Sequence, residues 1–164
     1  YALTIDYGRQ HLSDVLLSCP GFDPKIPTLY LLEGVSYYLT PDSMKHFFQD
    51  VYSLICKAPP NERDQSRVFF DHLVDLPRLI AANNDKPAAK MLEVFEKFEP
   101  LQAFLDYDQV EPYMKALGYA VVEQLTPPTM YEPFQTARNP DFHMKSSPYF
   151  GIVVVAKYLS LIHI

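Results

Sequence analysis

Two acidic residues stand directly after apolar runs that have the length of a β-strand. Glu33 follows the run TLYLL at 28–32, and Asp6 follows the apolar residues 1–5. A carboxylate at the carboxyl end of a strand can bind an ammonium group or another cation through charge-assisted hydrogen bonds. An acid at such a place is also a common turn former, so position alone leaves both interpretations open.

A histidine and a pair of tyrosines are further candidates for chemistry. His72 follows the apolar run RVFF at 67–70 and could take a proton from a hydroxyl group as a general base. Tyr37 and Tyr38 precede a predicted helix and could line a substrate pocket. The structural alternatives stay open, because a lone histidine is commonly structural and paired aromatics commonly belong to the core. Asp71 is interpreted as a turn residue.

The best-defined helix of the sequence begins just after these tyrosines. Thr40 has the side chain of a helix cap, and Pro41 suits the first helical position. Apolar residues then recur at the spacing of one helix face over about four turns. They are Met44, Phe47, Phe48, Val51, Leu54 and Ile55.

Apolar runs predict strands at 1–5, 28–32, 67–70, 119–125 and 149–157. The run at 28–32 is continuous rather than alternating, which predicts a strand covered on both faces. The alternation of these strands with helices predicts an α/β sandwich with a mostly parallel sheet.

The stretch 73–107 lacks strand character and is predicted to be a helical insert. It should hold one amphipathic helix between Pro87 and Pro100. The segment 108–111 has the form of a capping box, so a further helix should open there and end before Gly118.

Bulk composition excludes several functional classes. The chain of 164 residues has a net charge of −6 and scattered basic residues, so we expect no nucleic-acid partner. It has no apolar run of about 20 residues, so we expect no membrane span. Cys19 and Cys56 lack metal-binding spacing, so no metal site is predicted, and a cytoplasmic location is the default expectation.

Two segments together resemble a known family. The sequence IDYGRQHL at 5–12, followed by GFDPKIPTLYLLEGVSYYLTPDSM at 21–44, is similar to the leucine carboxyl methyltransferases, which are S-adenosylmethionine-dependent O-methyltransferases. The resemblance implies a class I methyltransferase (Rossmann-like) sheet with strand order 3-2-1-4-5-7-6. Residues 1–158 would then be its C-terminal part, from strand 3 at Tyr1–Ile5 to strand 7 at 149–157.

The same resemblance implies roles for individual residues. Asp6 matches the family's acid that contacts the adenine amino group of S-adenosyl-L-methionine, and Tyr7 matches the residue that packs on the adenine ring. Glu33 matches the acid beside the methionine part of this cofactor. The remaining site residues that the resemblance suggests are Gly34 and Val35 for the cofactor and Tyr38 for the substrate, to which His72 is added as a weaker substrate-site candidate.

The insert at 73–107 occupies the place of the family's substrate lid, so its aromatic residues could contact the acceptor or simply pack the insert on the sheet. These residues are Phe95, Phe98, Phe104 and Tyr107. The acceptor would offer a carboxylate or hydroxyl oxygen, either on a small molecule or as a protein's C-terminal carboxylate.

The family's glycine-rich cofactor turn has no counterpart in the sequence. We therefore expect an amino-terminally truncated methyltransferase domain that is inactive by itself. The last residues, LSLIHI at 159–164, correspond to the translation of a common sequencing adapter. The alternative hypothesis is a noncatalytic α/β binding or interaction module, while an α/β hydrolase is disfavoured because the sequence has no GxSxG elbow.

Overall fold

The computed structural model describes residues 1–127, 129–130 and 149–157, which form an α/β structure. Its helices are α1 (Leu12–Leu17), α2 (Pro41–Ile55), α3 (Leu76–Asn83), α4 (Lys86–Phe98) and α5 (Val110–Ala116). Its strands are β1 (Leu29–Leu32), β2 (Arg67–Leu73), β3 (Tyr119–Leu125) and β4 (Phe150–Lys157). Two short 3-10 turns lie at Ser36–Tyr38 and Arg63–Gln65.

The described strands form a four-stranded sheet in the order β1-β2-β4-β3. If β1 is strand 4 of the methyltransferase sheet, this is the order 4-5-7-6 that the resemblance implied. β1 and β2 are parallel, whereas β4 runs antiparallel to both β2 and β3. The predicted α/β fold is confirmed, and the described part of the sheet is mixed.

The amino-terminal segment and β1 differ from the predictions. Tyr1–Ile5 is not a strand in the structure, and no described strand pairs with the outer edge of β1. Within β1 the residues alternate: Leu32 is buried, but Leu31 is 62% exposed. The prediction of a strand covered on both faces was therefore wrong for the described residues, because α2 packs on one face and no described element covers the other.

Helix α2 forms where the sequence predicted it. The Thr40 hydroxyl accepts a hydrogen bond from the Ser43 amide at 3.1 Å, and Pro41 is the first helical residue. The predicted apolar face is buried, and Phe48 meets Phe70 of β2 edge-on with 5.1 Å between ring centroids. This helix forms the main core with β1, β2, β4 and α5.

The insert is helical, as predicted, but it contains α3 in addition to the expected α4. Asp75 and Asp85 cap the two helices, each accepting a backbone hydrogen bond at 3.1 Å. Between them Asn84 has a left-handed backbone with φ 50°. Asparagine tolerates that conformation better than most residues do, so the chain can end α3 there and begin α4.

Two local predictions about β2 and α5 were wrong. β2 continues through Asp71 and His72, which pair with Ile152 and Gly151 of β4, so Asp71 is a strand residue because the ladder extends past the apolar run. No side chain caps α5, and its N-cap is Gln109, because residues 107–109 form a turn of their own.

The end of α5 agrees with the prediction. Gly118 follows the helix with φ +86°, a conformation that glycine adopts without the steric cost a side chain would add. Among the described helices, none is long and apolar enough to cross a membrane. The prediction for the tail 159–164 lies outside the described residues.

Candidate functional site

An open groove beside the start of α2 brings together three of the residues predicted for the site. Asp6, Tyr7 and Tyr38 all line it, and its volume is about 450 Å³. Thr40 and Ser43 from the first turn of α2 complete one wall. The groove therefore joins the amino-terminal segment to the residues that follow β1.

A tight turn presents the first two of these side chains. The Asp6 carboxylate accepts a hydrogen bond from the Gly8 amide at 2.9 Å and lies 3.6 Å from the Arg9 guanidinium. The ring of Tyr7 is half-buried and meets Phe47 of α2 edge-on at 6.3 Å. Burial raises the pKa of Tyr7, so its hydroxyl stays protonated at neutral pH.

Glu33, Gly34 and Val35 do not line this groove. Glu33 is exposed just after β1. Gly34 has φ +70°, and its amide donates to both carboxylate oxygens of Asp71 at 3.0 and 3.1 Å. Burial raises the pKa of Asp71, the Gly34 hydrogen bond opposes the rise, and the negative charge of Glu33 adds to it. The turn after β1 is thus fixed to the adjacent strand by a carboxylate.

A second, more enclosed cavity lies between the 3-10 turn and the helical insert. We call it the aromatic pocket, and its volume is about 110 Å³. Its lining residues are Tyr37, Tyr38, Leu73, Leu76, Met91, Phe95, Leu101, Tyr149 and Phe150. Tyr38 lines both this pocket and the open groove, so the two spaces meet at one side chain.

The segment that leaves α4, which we call the strap (residues 99–105), holds the two tyrosines in place. The Gln102 amide donates to the Tyr37 carbonyl at 2.7 Å, and the Gln102 side chain donates to the Tyr38 carbonyl at 2.7 Å. The Tyr38 hydroxyl donates to the Glu99 carboxylate at 3.0 Å. Main chain and side chain of the site floor are therefore both fixed by the insert.

His72 lies apart from the groove and the aromatic pocket. Its side chain is 97% buried and lines a separate cavity of about 140 Å³. Nδ1 is 2.7 Å from the Leu105 carbonyl oxygen, to which it donates, whereas Nε2 is buried without a hydrogen-bond partner. Burial lowers the pKa of His72, so the imidazole is neutral at neutral pH. The structure does not bring it together with Asp6, Tyr7 or Tyr38.

The aromatic residues of the insert have different surroundings. Phe95 lines the aromatic pocket, and Phe104 lines the cavity beside His72. Tyr107 meets the His72 ring edge-on at 5.6 Å, and its hydroxyl donates to the Phe150 carbonyl at 2.9 Å. Phe98 is 71% exposed. Of this group, only Phe95 lines the aromatic pocket.

Three polar residues at the aromatic pocket were not predicted from the sequence. Glu99 and Gln102 both form hydrogen bonds with Tyr38, which lies 61 and 64 positions away along the chain. No local sequence pattern predicts such contacts. Asp85, which accepts a hydrogen bond from the Tyr149 hydroxyl at 2.7 Å, did leave a signal. An aspartate two positions before a proline at the start of an apolar helix is a cap pattern.

The fold resembles that of two solved structures. One is a DUF574 family protein from Streptomyces avermitilis, with 11% identity, a TM-score of 0.58 and coverage of 89% of this chain and 52% of that one. The other is a proposed methyltransferase from Thermobifida fusca, with 16% identity, a TM-score of 0.56 and coverage of 94% and 53%. The chain thus spans about half the length of either structure.

The comparison with curated protein sequences gave no significant match. The family model of the leucine carboxyl methyltransferases matches residues 2–52. That region contains the groove residues Asp6, Tyr7 and Tyr38, and also Glu33 at the end of β1. The resemblance to the leucine carboxyl methyltransferase family is therefore confirmed over residues 2–52, and the chain has the α/β fold of the class I methyltransferases.

Proposed function

We propose that this chain is part of an S-adenosyl-L-methionine-dependent O-methyltransferase, which moves a methyl group to a carboxylate or hydroxyl oxygen. The observation that carries the proposal is the position of Tyr38. It separates an open groove, large enough for a cofactor, from an enclosed aromatic pocket suited to an acceptor. Because the chain spans about half the length of the matched structures, we assign the activity to a longer protein that contains this chain.

The groove has side chains that fit the cofactor. The exposed Asp6 carboxylate can accept hydrogen bonds from an adenine amino group, and the neighbouring Tyr7 ring offers an apolar face. Glu33, which does not line the groove, is an exposed acid after β1 and can bind an ammonium group. Ligands of open α/β sheets bind outside the carboxyl ends of the strands, and the chain reaches Glu33 directly after that end of β1.

The chemistry needs alignment more than covalent help. When bound, the cofactor supplies a methyl group on a sulfonium, so that the acceptor oxygen gains the carbon while the sulfur keeps the electron pair of the broken bond. The work of this chain is to hold the oxygen in line and to exclude water, which can lower a barrier by about 7 to 11 kcal/mol in favourable cases. The apolar walls of the aromatic pocket and the strap over Tyr37 and Tyr38 serve both purposes.

The enclosed pocket supports a small acceptor group. A volume of about 110 Å³ is below the roughly 150 Å³ of a cavity that takes up benzene. A hydroxyl acceptor must also lose its proton, whereas a carboxylate need not. His72 is not placed to take that proton, because its free nitrogen is buried against Gly151 of β4.

The test is transfer of a labelled methyl group by the chain extended with its upstream coding sequence. We expect Tyr38→Ala to lower kcat/KM by about 100-fold, since small misplacements of a reactant have effects of that size. Phe98→Ala is the matched control, because Phe98 is 71% exposed and lines neither space. Equal activities of both variants, with unchanged circular dichroism, would contradict the role of Tyr38 as the floor of the site.

A further inference from the structure

The aromatic pocket has an unusual combination of aromatic walls and acidic neighbours. Five of its lining residues are aromatic: Tyr37, Tyr38, Phe95, Tyr149 and Phe150. No lysine or arginine is among its lining residues. An acceptor held there would therefore meet ring faces, aliphatic side chains and phenol groups, and no basic side chain that could pair with a carboxylate.

Two of the tyrosine hydroxyl groups are hydrogen-bonded to acidic side chains. The Tyr38 hydroxyl donates to Glu99 at 3.0 Å, and the Tyr149 hydroxyl donates to Asp85 at 2.7 Å. In both contacts the phenol proton is directed at a carboxylate. The two carboxylates are not among the lining residues of the pocket, and they hold the rings of Tyr38 and Tyr149 in position through these hydrogen bonds.

The negative potential reaches the third tyrosine. Burial raises the pKa of Tyr37 to about 12, and the charges of Asp71 and Glu99 add to the rise. Burial disfavours a charge of either sign, so it is the contribution of Asp71 and Glu99 that marks a negative potential here, in which a positive charge is favourable. A cation in the pocket would gain from the acids and from the negative faces of the rings.

We propose that the aromatic pocket binds a compact alkylammonium group of the methyl acceptor. This inference rests on the proposed function and adds the class of acceptor: an organic cation whose oxygen is methylated beside Tyr38. The pocket volume of about 110 Å³ suits a group of about five heavy atoms, by comparison with the benzene-sized cavity of about 150 Å³. Aromatic cages bind quaternary ammonium groups by the same physics.

The first test is a calorimetric titration of this chain with two probes of similar shape, tetramethylammonium chloride and neutral tert-butanol. Sodium chloride is the salt control. We expect tetramethylammonium to bind at least about tenfold more tightly, because a desolvated cation–π contact has an effect of that size. Equal or weaker binding of the cation overturns the proposal.

Two variants test where the cation binds. Phe95→Leu removes a ring from the wall, and Glu99→Gln removes a charge while its amide can still accept from the Tyr38 hydroxyl. We expect each to weaken tetramethylammonium binding about three- to tenfold. Phe98→Leu on the same helix is the control, since Phe98 is exposed, and it should leave binding unchanged. Glu99 is also exposed, so its variant should fold even if the Phe95 variant does not.

A sulfonium is also a compact apolar cation, so the cofactor itself is the competing source of this chemistry. Tetramethylammonium is therefore titrated into the upstream-extended protein saturated with S-adenosylmethionine or with neutral S-adenosylhomocysteine. Binding in both mixtures supports the acceptor assignment, and loss of binding with S-adenosylmethionine alone overturns it. Binding of S-adenosylhomocysteine without any preference for the cation overturns this inference and leaves the proposed function standing. Failure of both cofactor forms to bind would instead remove the proposed function.

Discussion

At the scale of single residues, His72 shows how a buried polar group can fix a functional segment. Its Nδ1–H bond to the Leu105 carbonyl ties the end of the strap to β2. Because the carbonyl can only accept, the proton of the neutral ring is on Nδ1, and Nε2 keeps a free lone pair. An unpaired buried polar atom costs about 1–3 kcal/mol, so the ring stabilises the strap at an energetic cost elsewhere.

This arrangement makes stability depend on pH. Burial lowers the pKa of His72, with Leu105 and Asp106 opposing the shift, so the unfolded chain takes up the proton first as pH falls. The contribution of His72 is complete above the unfolded pKa of about 6.5 and is lost as pH falls toward the folded value. We expect wild type to lose up to about 1 kcal/mol more than His72→Phe between pH 7.5 and 5.5, measured by urea unfolding. Parallel losses in the two proteins would contradict this account.

Gly151 is the second residue with a specific prediction. A Cβ atom there would lie 2.3 Å from His72 Nε2 and 2.9 Å from Tyr107 Cε1. Gly151→Ala should therefore lower the free energy of unfolding by about 1–3 kcal/mol through overpacking. In a His72→Ala background the same change should cost less, since the closer of the two clashing rings is gone and only Tyr107 remains. Equal costs in both backgrounds would show that His72 is not the group being crowded.

At the scale of elements, β1 has one covered face and one exposed face. Leu32 is 3% exposed, whereas Leu31 is 62% exposed. In this chain Leu32→Ala should cost about 2–5 kcal/mol of unfolding free energy, and Leu31→Ala no more than about 0.5 kcal/mol, by denaturant melts. In the upstream-extended protein the Leu31 variant should become more costly, because helices contributed by the proposed longer protein would pack on that face of the sheet. A Leu31 cost that stays the same in both would refute this view of β1.

The sequence predicted those elements whose signals are local. α2 was predictable because Thr40, Pro41 and the apolar repeat lie within one segment. The extension of β2 through Asp71 and His72 was not, because it depends on pairing with Ile152 and Gly151, which lie far along the chain. The helix cap expected at 108–111 failed because a separate turn at 107–109 precedes α5.

At the scale of the whole molecule, the sheet order agreed with expectation because it followed from a family resemblance rather than from residue patterns. The candidate site was predictable only in part. Asp6, Tyr7 and Tyr38 do share a groove, but the aromatic pocket is built from the 3-10 turn, the insert and β4, which meet only in the folded chain. The burial of His72 away from these residues likewise depends on the contact of β2 with Leu105 of the strap, which forms only in the folded chain.

The most direct test of the central claim is calorimetric titration of S-adenosylhomocysteine into the upstream-extended protein and two variants. We expect wild type to bind, Asp6→Ala to bind about tenfold more weakly through loss of a charge-assisted hydrogen bond, and Asp14→Ala, an exposed acid outside the groove, to match wild type. No binding by the wild-type protein would contradict the cofactor assignment and favour a noncatalytic interaction module.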